Sequence, residues 1–526
     1  MSVPAKRKPS SIGVIDIFAG PGGLGEGFSS FESSDGVHPF EIAVSAEMER
    51  TAHATLRLRS FVRLLREKNG SLPDAYAKYI SAIVNGTALP PDEHFGKGPH
   101  SSLWKIADSE ALNLTLGVEQ HNAKLYERID SAKKKHDSLV LIGGPPCQAY
   151  SLVGRARQTN VPGFHTKGDV KHFLYLEYLQ VLARYTPDVF IMENVKGILS
   201  STVGGRNMFN RIRADLVNPK RALGGNASAD NDYVLLPVHV GAGELRDPED
   251  VASNPAGFIV RCEQHGVPQA RHRVIIMGVK AKLLGKALRA PCLTAPEEKE
   301  RIETALSGLP ELRSGLSRRP DDAADWMKTM ERQRKVVINA LGRKADDELR
   351  KFVEGITFDP KLERRSTTYN GKCSGVASKL QHPELTVVTS HETRGHMPAD
   401  LGRYLFASAF AWINKRSPGS AAFPARLAPE HTNWNTGDFA DRFRVQIKDN
   451  PGSTVTSHLS KDGHAFIHWD PRQCRSLTVR EAARIQTFPD DYVFLGNRTQ
   501  QFVQVGNAVP PLIARQIAKV VWSILS

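Results

Sequence analysis

Leu139-Val140-Leu141-Ile142-Gly143-Gly144-Pro145-Pro146-Cys147-Gln148-Ala149-Tyr150-Ser151 is the run from which the rest of the chain can be read. Four consecutive apolar residues predict a strand buried on both faces, of the kind found in parallel sheets. Two glycines and two prolines then stop the strand and turn the backbone. Cys147 is thereby expected at the C-terminal edge of a sheet, where open α/β folds bind ligands. A cysteine met at random is a small buried apolar thiol. One held behind a stiff turn at a sheet edge is placed to attack, provided a nearby positive field lowers its pKa.

Towards the N-terminus, Ile12–Phe18 reads as another buried strand, running into Ala19-Gly20-Pro21-Gly22-Gly23-Leu24-Gly25. Gly20, Gly22 and Gly25 satisfy G-x-G-x-x-G, a pattern that lets backbone approach a ligand at a helix N-terminus. A strand over Phe40–Ser45 leads to Glu47, 22 positions past Gly25, a spacing suited to gripping ribose hydroxyls. NAD and S-adenosylmethionine both carry that ribose, so these features alone do not choose between them. Thr55–Lys68 has the spacing of an amphipathic helix. Asn85–Ser102 reads as a loop, and residues 56–136 as a whole as an insertion.

Towards the C-terminus, Leu152–Lys171 carries Arg155, Arg157, Lys167 and Lys171 without periodicity, a basic loop that could close over a polyanion. Phe173–Arg184 looks helical. Asp188–Met192 is a further buried strand, and it delivers Glu193-Asn194-Val195 to the edge that holds Cys147. After strand candidates Tyr233–Val240 and Gly257–Cys262, Gln269, Arg271 and Arg273 alternate, so an extended chain puts them on one face as a polar wall. From about 281 to 469 the strand rhythm stops. Helical patches fall in 301–320 and 321–350, and Ser366–Ser374 and Val387–His396 form polar tips. Order returns with a capping box, Thr478 and Glu481, starting a helix through Ile485. An apolar helix ends the chain near Leu525.

Composition bounds the answer. At 526 residues the chain is expected to form two structural units. Seventy Lys+Arg against 56 Asp+Glu, a formal net charge of +14, favours a polyanionic partner. Five cysteines without a Cys-x-x-Cys pair argue against a disulfide scaffold and for a reducing compartment. Cys262, His265 and His272 have no matching second pair, so no metal site is expected. No run approaches 18 apolar residues, so no membrane span is expected. Residues 1–11 read as a flexible basic tail, without the apolar core of a signal peptide.

Asp16–Gly25, Gly143–Ser151, Glu193–Val195, Gln269–Arg273, Arg475–Phe488 and Gln504–Val509, in this order, resemble the motif set of the DNA (cytosine-5) methyltransferases. The resemblance implies an α/β fold, a Rossmann-like S-adenosylmethionine-dependent methyltransferase sheet with a second, smaller target-recognition domain. Residues 12–283 would be catalytic, 284–472 would read DNA, and 473–526 would return to complete the catalytic domain. By resemblance Cys147 is the nucleophile, Glu193 the acid at the base, and Arg273 the stabiliser of developing charge, with Arg271 and Gln269 in support. Phe18, Ala19, Gly20, Gly22, Gly23, Leu24, Glu47, Met48, Pro145, Leu174, Asn507 and Ala508 match cofactor positions. Gln148, Ser151, Arg155, Asn194, Lys372 and Arg394 are the candidate DNA contacts. No residue in the 56–136 stretch matches the family's acidic contact to the cofactor adenine. Duplex DNA is the implied partner, of a monomeric cytoplasmic enzyme associated with the nucleoid, alongside which a cognate restriction endonuclease can act separately.

Two rivals stand beside it. A cytosine-5 methyltransferase of transfer RNA shares the motifs, but the long 284–472 region favours duplex DNA, where reading base edges needs an extra module. A nicotinamide dehydrogenase explains Gly20–Gly25 and Glu47 and leaves Pro-Pro-Cys-Gln and Glu-Asn-Val without a purpose.

Overall fold

The computed structural model describes residues 11–69, 72–146, 174–203, 206–225, 232–239, 254–342, 347–430, 434 and 442–526. One eight-stranded sheet organises it. Its strands are β1 (Ile12–Ile17), β2 (Phe40–Glu47), β3 (Ala111–Asn113), β4 (Ser138–Gly143), β5 (Val189–Val195), β6 (Tyr233–Pro237), β7 (Ile259–Arg261) and β8 (His272–Lys280). They lie in the order β3-β2-β1-β4-β5-β8-β6, with β7 beside β8. β1 to β5 are mutually parallel, and β8 runs antiparallel to β5, β6 and β7.

The apolar runs form this sheet because both of its faces are covered. Leu139 and Leu141 of β4 join one core with Phe190 and Met192 of β5, while Val140, Ile142, Val189 and Ile191 join the other. This is the period-two alternation of a strand, here apolar on both sides. Helix α1 (Gly23–Ser29) covers the second face together with the C-terminal helix.

The stretch 56–136, expected to be an insertion, is only partly one. Helix α2 (Arg50–Asn69) extends the expected amphipathic helix at both ends. α3 (Asp74–Val84), α4 (Pro91–Phe95) and α5 (Ser101–Glu110) follow, α4 lying within the loop expected over Asn85–Ser102 and α5 starting at its end. The chain then makes β3, and α6 (Glu119–Lys135) buries Leu125 and Ile129 against the sheet. At three residues, β3 is too short to show a period in sequence. α2 to α5 build a small core around Phe61, Tyr79, Phe95 and Trp104, which also takes in Leu385 and Val493.

α7 (Leu174–Tyr185), ahead of β5, and α8 (Met208–Val217), after it, cover the first face. Ala287 and Leu293, past the boundary expected at 284, still pack in the second sheet core. A separate core begins later, around Leu316, Trp326 and Met330, carried by α9 (Ala323–Leu341), α10 (Asp347–Gly355) and α11 (Pro398–Asn414). The return segment supplies α12 (Val479–Ile485), α13 (Arg498–Asn507) and α14 (Pro511–Leu525). The Thr478–Glu481 capping box is present in full. Taken together, Arg498–Leu525 reaches the length and mean hydropathy, 1.2, of a membrane span. It is two helices broken at Ala508–Pro510, and Ile513, Ile517 and Val521 of α14 lie in the sheet core.

Candidate active site

β4 and β5 end side by side, and their tips bring the first functional groups together. Antiparallel pairing sets Arg273 opposite Val195 and Ile275 opposite Glu193, so Glu193 and Arg273 are diagonal neighbours on one face. Arg273 Nε meets Glu193 Oε1 at 2.9 Å, and Nη1 donates to the His272 carbonyl at 2.9 Å. The other side of the carboxylate lies against the turn after β4: a Cβ at Gly144 would stand 2.9 Å from Glu193 Oε2. Asn194 Nδ2 donates to the Pro145 carbonyl at 2.9 Å. The tip of β5 thus grips the turn at Gly144 and Pro145, just ahead of Cys147. Cys147, Gln148, Ser151 and Arg155 lie outside the described residues, as does the basic loop over 152–171.

The expected alternation of Gln269, Arg271 and Arg273 along one wall does not hold. The Arg271 N–H donates back to the Gln269 carbonyl at 2.9 Å, a three-residue turn that breaks the extended chain between them. Arg271, 1% exposed, donates to the carbonyls of Val455 (2.7 Å), Ala508 (2.9 Å) and Gly506 (3.3 Å). Gln269 Nε2 donates to Gln486 Oε1 (2.7 Å) and the Ile485 carbonyl (3.0 Å), and its Oε1 accepts from the Val455 N–H (2.9 Å). Both side chains clamp the joint between the sheet, the 452–457 segment and the return helices. Arg273 alone of the three faces Glu193.

The glycine turn forms the second half of the site. Phe18 (φ 60) and Gly20 (φ 58) take left-handed backbone, rare for a phenylalanine and a mark of a constrained site. The Gly20 N–H donates to Glu47 Oε2 at 2.8 Å, and the Glu49 N–H to Oε1 at 2.8 Å. Burial raises the Glu47 pKa, opposed by these two amide bonds. Val509 of the return segment presses on the turn, its carbonyl 2.2 Å from where a Gly23 Cβ would stand. Asn507 and Ala508, just ahead of Val509 in the chain, are thereby brought close to Gly23. Pro145 is buried, Met48 is 45% exposed beside Glu47, and Leu174 opens α7 inside the sheet core.

Two residues missed in the sequence reading belong to this pocket. Asn113, at the end of β3, stands opposite Glu47 in register and donates to the Glu47 (2.8 Å) and Met48 (3.1 Å) carbonyls. No pattern could have found it, since its strand has three residues and its side chain is not acidic. Asp16 is fully buried, and neither carboxylate oxygen completes a hydrogen bond. Burial, followed by the charge of Glu47, raises its pKa to about 8. Its signal was legible: an Asp within an otherwise apolar β1.

Two of the candidate DNA contacts turn inward. Arg394 donates to the Leu459 and Lys461 carbonyls at 2.7 Å each, its guanidinium 5.0 Å from the Phe502 ring centre. Asn194 is 3% exposed and spent on Pro145. Lys372 stands exposed. The Val387–His396 run, expected as a polar tip, buries Thr389, His391, Thr393 and His396. Of the weak metal trio, His265 bonds the Thr294 carbonyl and His272 pairs with Glu263.

Comparison with known proteins agrees with this arrangement. The family model of the C-5 cytosine-specific DNA methylases matches residues 117–218 and 257–523. The type II methyltransferase M.Bpa9945I of Bacillus paralicheniformis is 31% identical over 98% of this chain and 99% of its own length. The type II methyltransferase M.AgeI of Thalassovita gelatinovora is 28% identical over 83% of this chain and 94% of its own. The DNA (cytosine-5-)-methyltransferase M.ApeKI of Aeropyrum pernix is 26% identical over 74% and 82%. With the ordered motifs converging on one sheet edge, the chain belongs to the C-5 cytosine-specific DNA methylase family and is a DNA (cytosine-5)-methyltransferase.

Proposed function

We propose that the chain methylates carbon 5 of a cytosine flipped out of a specific duplex DNA sequence, through a covalent bond to Cys147. The observation that carries the reading is the Glu193 carboxylate, held between Arg273 and the Gly144 turn that leads into Cys147. Carbon 5 of cytosine is too weak a nucleophile to take a methyl group unaided. Attack by the Cys147 thiolate forms an S–C6 bond and makes carbon 5 electron-rich. Glu193 supplies a proton at N3 as the ring gains electrons. Arg273 fixes Glu193 and offers its guanidinium to the base carbonyl. Once carbon 5 carries the methyl group, water takes its remaining proton, the S–C6 electrons leave with the Cys147 thiolate, and the N3 proton returns to Glu193. A stacked base is out of reach of this edge, so the target must leave the duplex.

The residues present fit S-adenosylmethionine, which when bound supplies an electrophilic methyl group on a sulfonium. Asp16 and Glu47 are two buried carboxyl groups whose pKa values burial raises, and a cationic ligand behind the glycine turn would draw both back to their charged forms. Phe18 to Leu24, Glu47, Met48, Pro145, Asn507 and Ala508 would line the pocket, with Asn113 at the adenine end. Arg271 and Gln269 would act by holding Asn507 and Ala508 in place. Residues beyond Leu293 would read the DNA, with exposed Lys372 on phosphate. Two of the relatives described above carry type II names, which supports a modification enzyme paired with a separate cognate endonuclease; in this reading it works on DNA as a monomer in the cytoplasm.

The test is a duplex containing 5-fluorocytosine at the methylated site, found first by bisulfite sequencing of DNA from expressing cells. The native protein should form a covalent adduct. Cys147→Ser should form none while binding S-adenosylmethionine normally, and Glu193→Gln should turn over roughly 100-fold more slowly. An adduct in Cys147→Ser would sink the assignment.

A further inference from the structure

The glycine turn is held from behind by residues that belong to no motif discussed so far. The Tyr492 hydroxyl donates to the Pro21 carbonyl, between left-handed Gly20 and Gly22. Gly22 leaves no slack there, since a Cβ on it would stand 3.0 Å from that hydroxyl and 2.8 Å from Leu56. Arg59 of α2 lies over the Tyr492 ring, its guanidinium carbon 4.8 Å from the centroid. The same guanidinium grips Glu26 of α1 through Nε (2.8 Å) and Nη2 (2.6 Å), and Asp491 through Nη1 (2.6 Å). Arg66 also reaches Asp491, and the Tyr76 hydroxyl donates to the Asp491 carbonyl at 2.6 Å. Burial opposes the Asp491 charge, but Arg59 and Arg66 outweigh it and hold the carboxyl low.

Arg59 therefore joins three pieces of chain around the turn: α1, which leaves it, α2, which follows Glu47 and Met48, and the return segment, whose tyrosine reaches Pro21. Tyr492, Arg59, Glu26 and Asp491 are each nine-tenths or more buried. A surface ion pair would not hold a loop in this way, because solvent would screen it. Buried and bidentate, this one has a single low-energy geometry.

We propose that Arg59 and Tyr492 are positioning residues that set the glycine turn for the cofactor, acting through the Pro21 carbonyl and touching neither cofactor nor base. The inference rests on S-adenosylmethionine being bound at that turn. Tyr492→Phe removes the one donor to Pro21 and keeps the ring under Arg59. Arg59→Lys keeps the charge but cannot span Glu26 and Asp491 together.

The experiment is calorimetric titration of S-adenosylmethionine into native, Tyr492→Phe and Arg59→Lys protein, each at least 10 °C below its own Tm. Tyr492→Phe should weaken binding about tenfold, the scale of one lost buried hydrogen bond. KM for the cofactor should rise in step, with kcat at saturation and duplex affinity within about twofold of native. Arg59→Lys should fall between native and Tyr492→Phe. A lowered Tm with native affinity in Tyr492→Phe would mean that the network is only structural, and would overturn the proposal. Native protein that takes up no S-adenosylmethionine would instead overturn the cofactor reading, and the proposal with it. Arg59→Met leaves Glu26 and Asp491 buried without their cation and is a poor probe, so Tyr492→Phe carries the decision.

Discussion

The sheet edge at Glu193 and Arg273 and the joint around Gln269 and Arg271 are built from one short run of chain. At the edge, both members of the ion pair keep part of their surface, 13% and 14%, open to solvent. In the joint, Gln269 and Arg271 are sealed at 0% and 1%, and all their hydrogen bonds given above end on backbone or on Gln486. Residue type does not separate the two arginines. Their partners do: Arg273 meets a carboxylate at the sheet edge, whereas Arg271 meets the carbonyls of Val455, Gly506 and Ala508 and ties these chain positions together. The proposed function thus puts the chemistry at the edge, and the joint holds Asn507 and Ala508, the residues proposed to line the cofactor pocket.

The sharpest way to break this division is at Arg273. Arg273→Ala should lower kcat by roughly 100- to 1000-fold, the usual effect of removing one charge-stabilising donor. Tm should change little, because the group is partly solvated. A fall in Tm with near-native kcat would reverse the assignment of the two regions.

Arg271→Met should do the opposite. It leaves the Val455 and Gly506 carbonyls short of a buried donor, while Ala508 keeps Gln486 Nε2 at 3.2 Å, at a cost of about 2–3 kcal/mol in denaturant unfolding. KM for the cofactor should rise through Asn507 and Ala508, and the chemical step in single-turnover assays should stay within a few-fold of native. A full loss of turnover in a stably folded variant would place Arg271 in the chemistry.

A third buried cluster, at the start of α12, should be the region that fails first in acid. His391 and His468 are fully buried beside the Arg475–Glu481 pair. Burial, helped by Arg475, lowers His391 to about 4 and His468 to about 3, from an ordinary 6.5. Between pH 6.5 and about 4 the unfolded chain therefore binds protons that the folded chain refuses. Stability falls with pH in that window by about 1.4 kcal/mol per unit for each histidine. Glu481, kept low by Arg475 against burial, adds a loss only below its ordinary 4.5. Tm measured from pH 7 to 4.5 should slope less steeply in His391→Asn and His468→Asn. An unchanged slope would remove these histidines from the acid response.

Much of the site was legible in sequence, for an identifiable reason. Buried parallel strands are long apolar runs, and in this fold they end at the ligand edge, so Glu47, Glu193 and the Gly144–Pro146 turn could be placed from local sequence alone. The Thr478–Glu481 capping box was legible likewise, because both partners lie within one helical turn. Errors came where sequence distance and spatial distance part. Arg394 was taken for an exposed tip residue, but carbonyls at Leu459 and Lys461 draw it inward. Asn113 was missed because its strand exists only by pairing with β2.

The sequence by itself determined the family, the order of the motifs, the two-faced sheet and the residue types the chemistry needs. These depend on hydrophobic period, turn residues and short-range spacing, all of which are local. Only the tertiary structure decided which residues of each motif face the ligand. It turned Arg271 into a clamp and Arg273 towards Glu193, and it brought Tyr492 to Pro21 across 471 positions of chain. The physical reason is that a buried donor must find an acceptor wherever the fold supplies one, and no local pattern records where that will be.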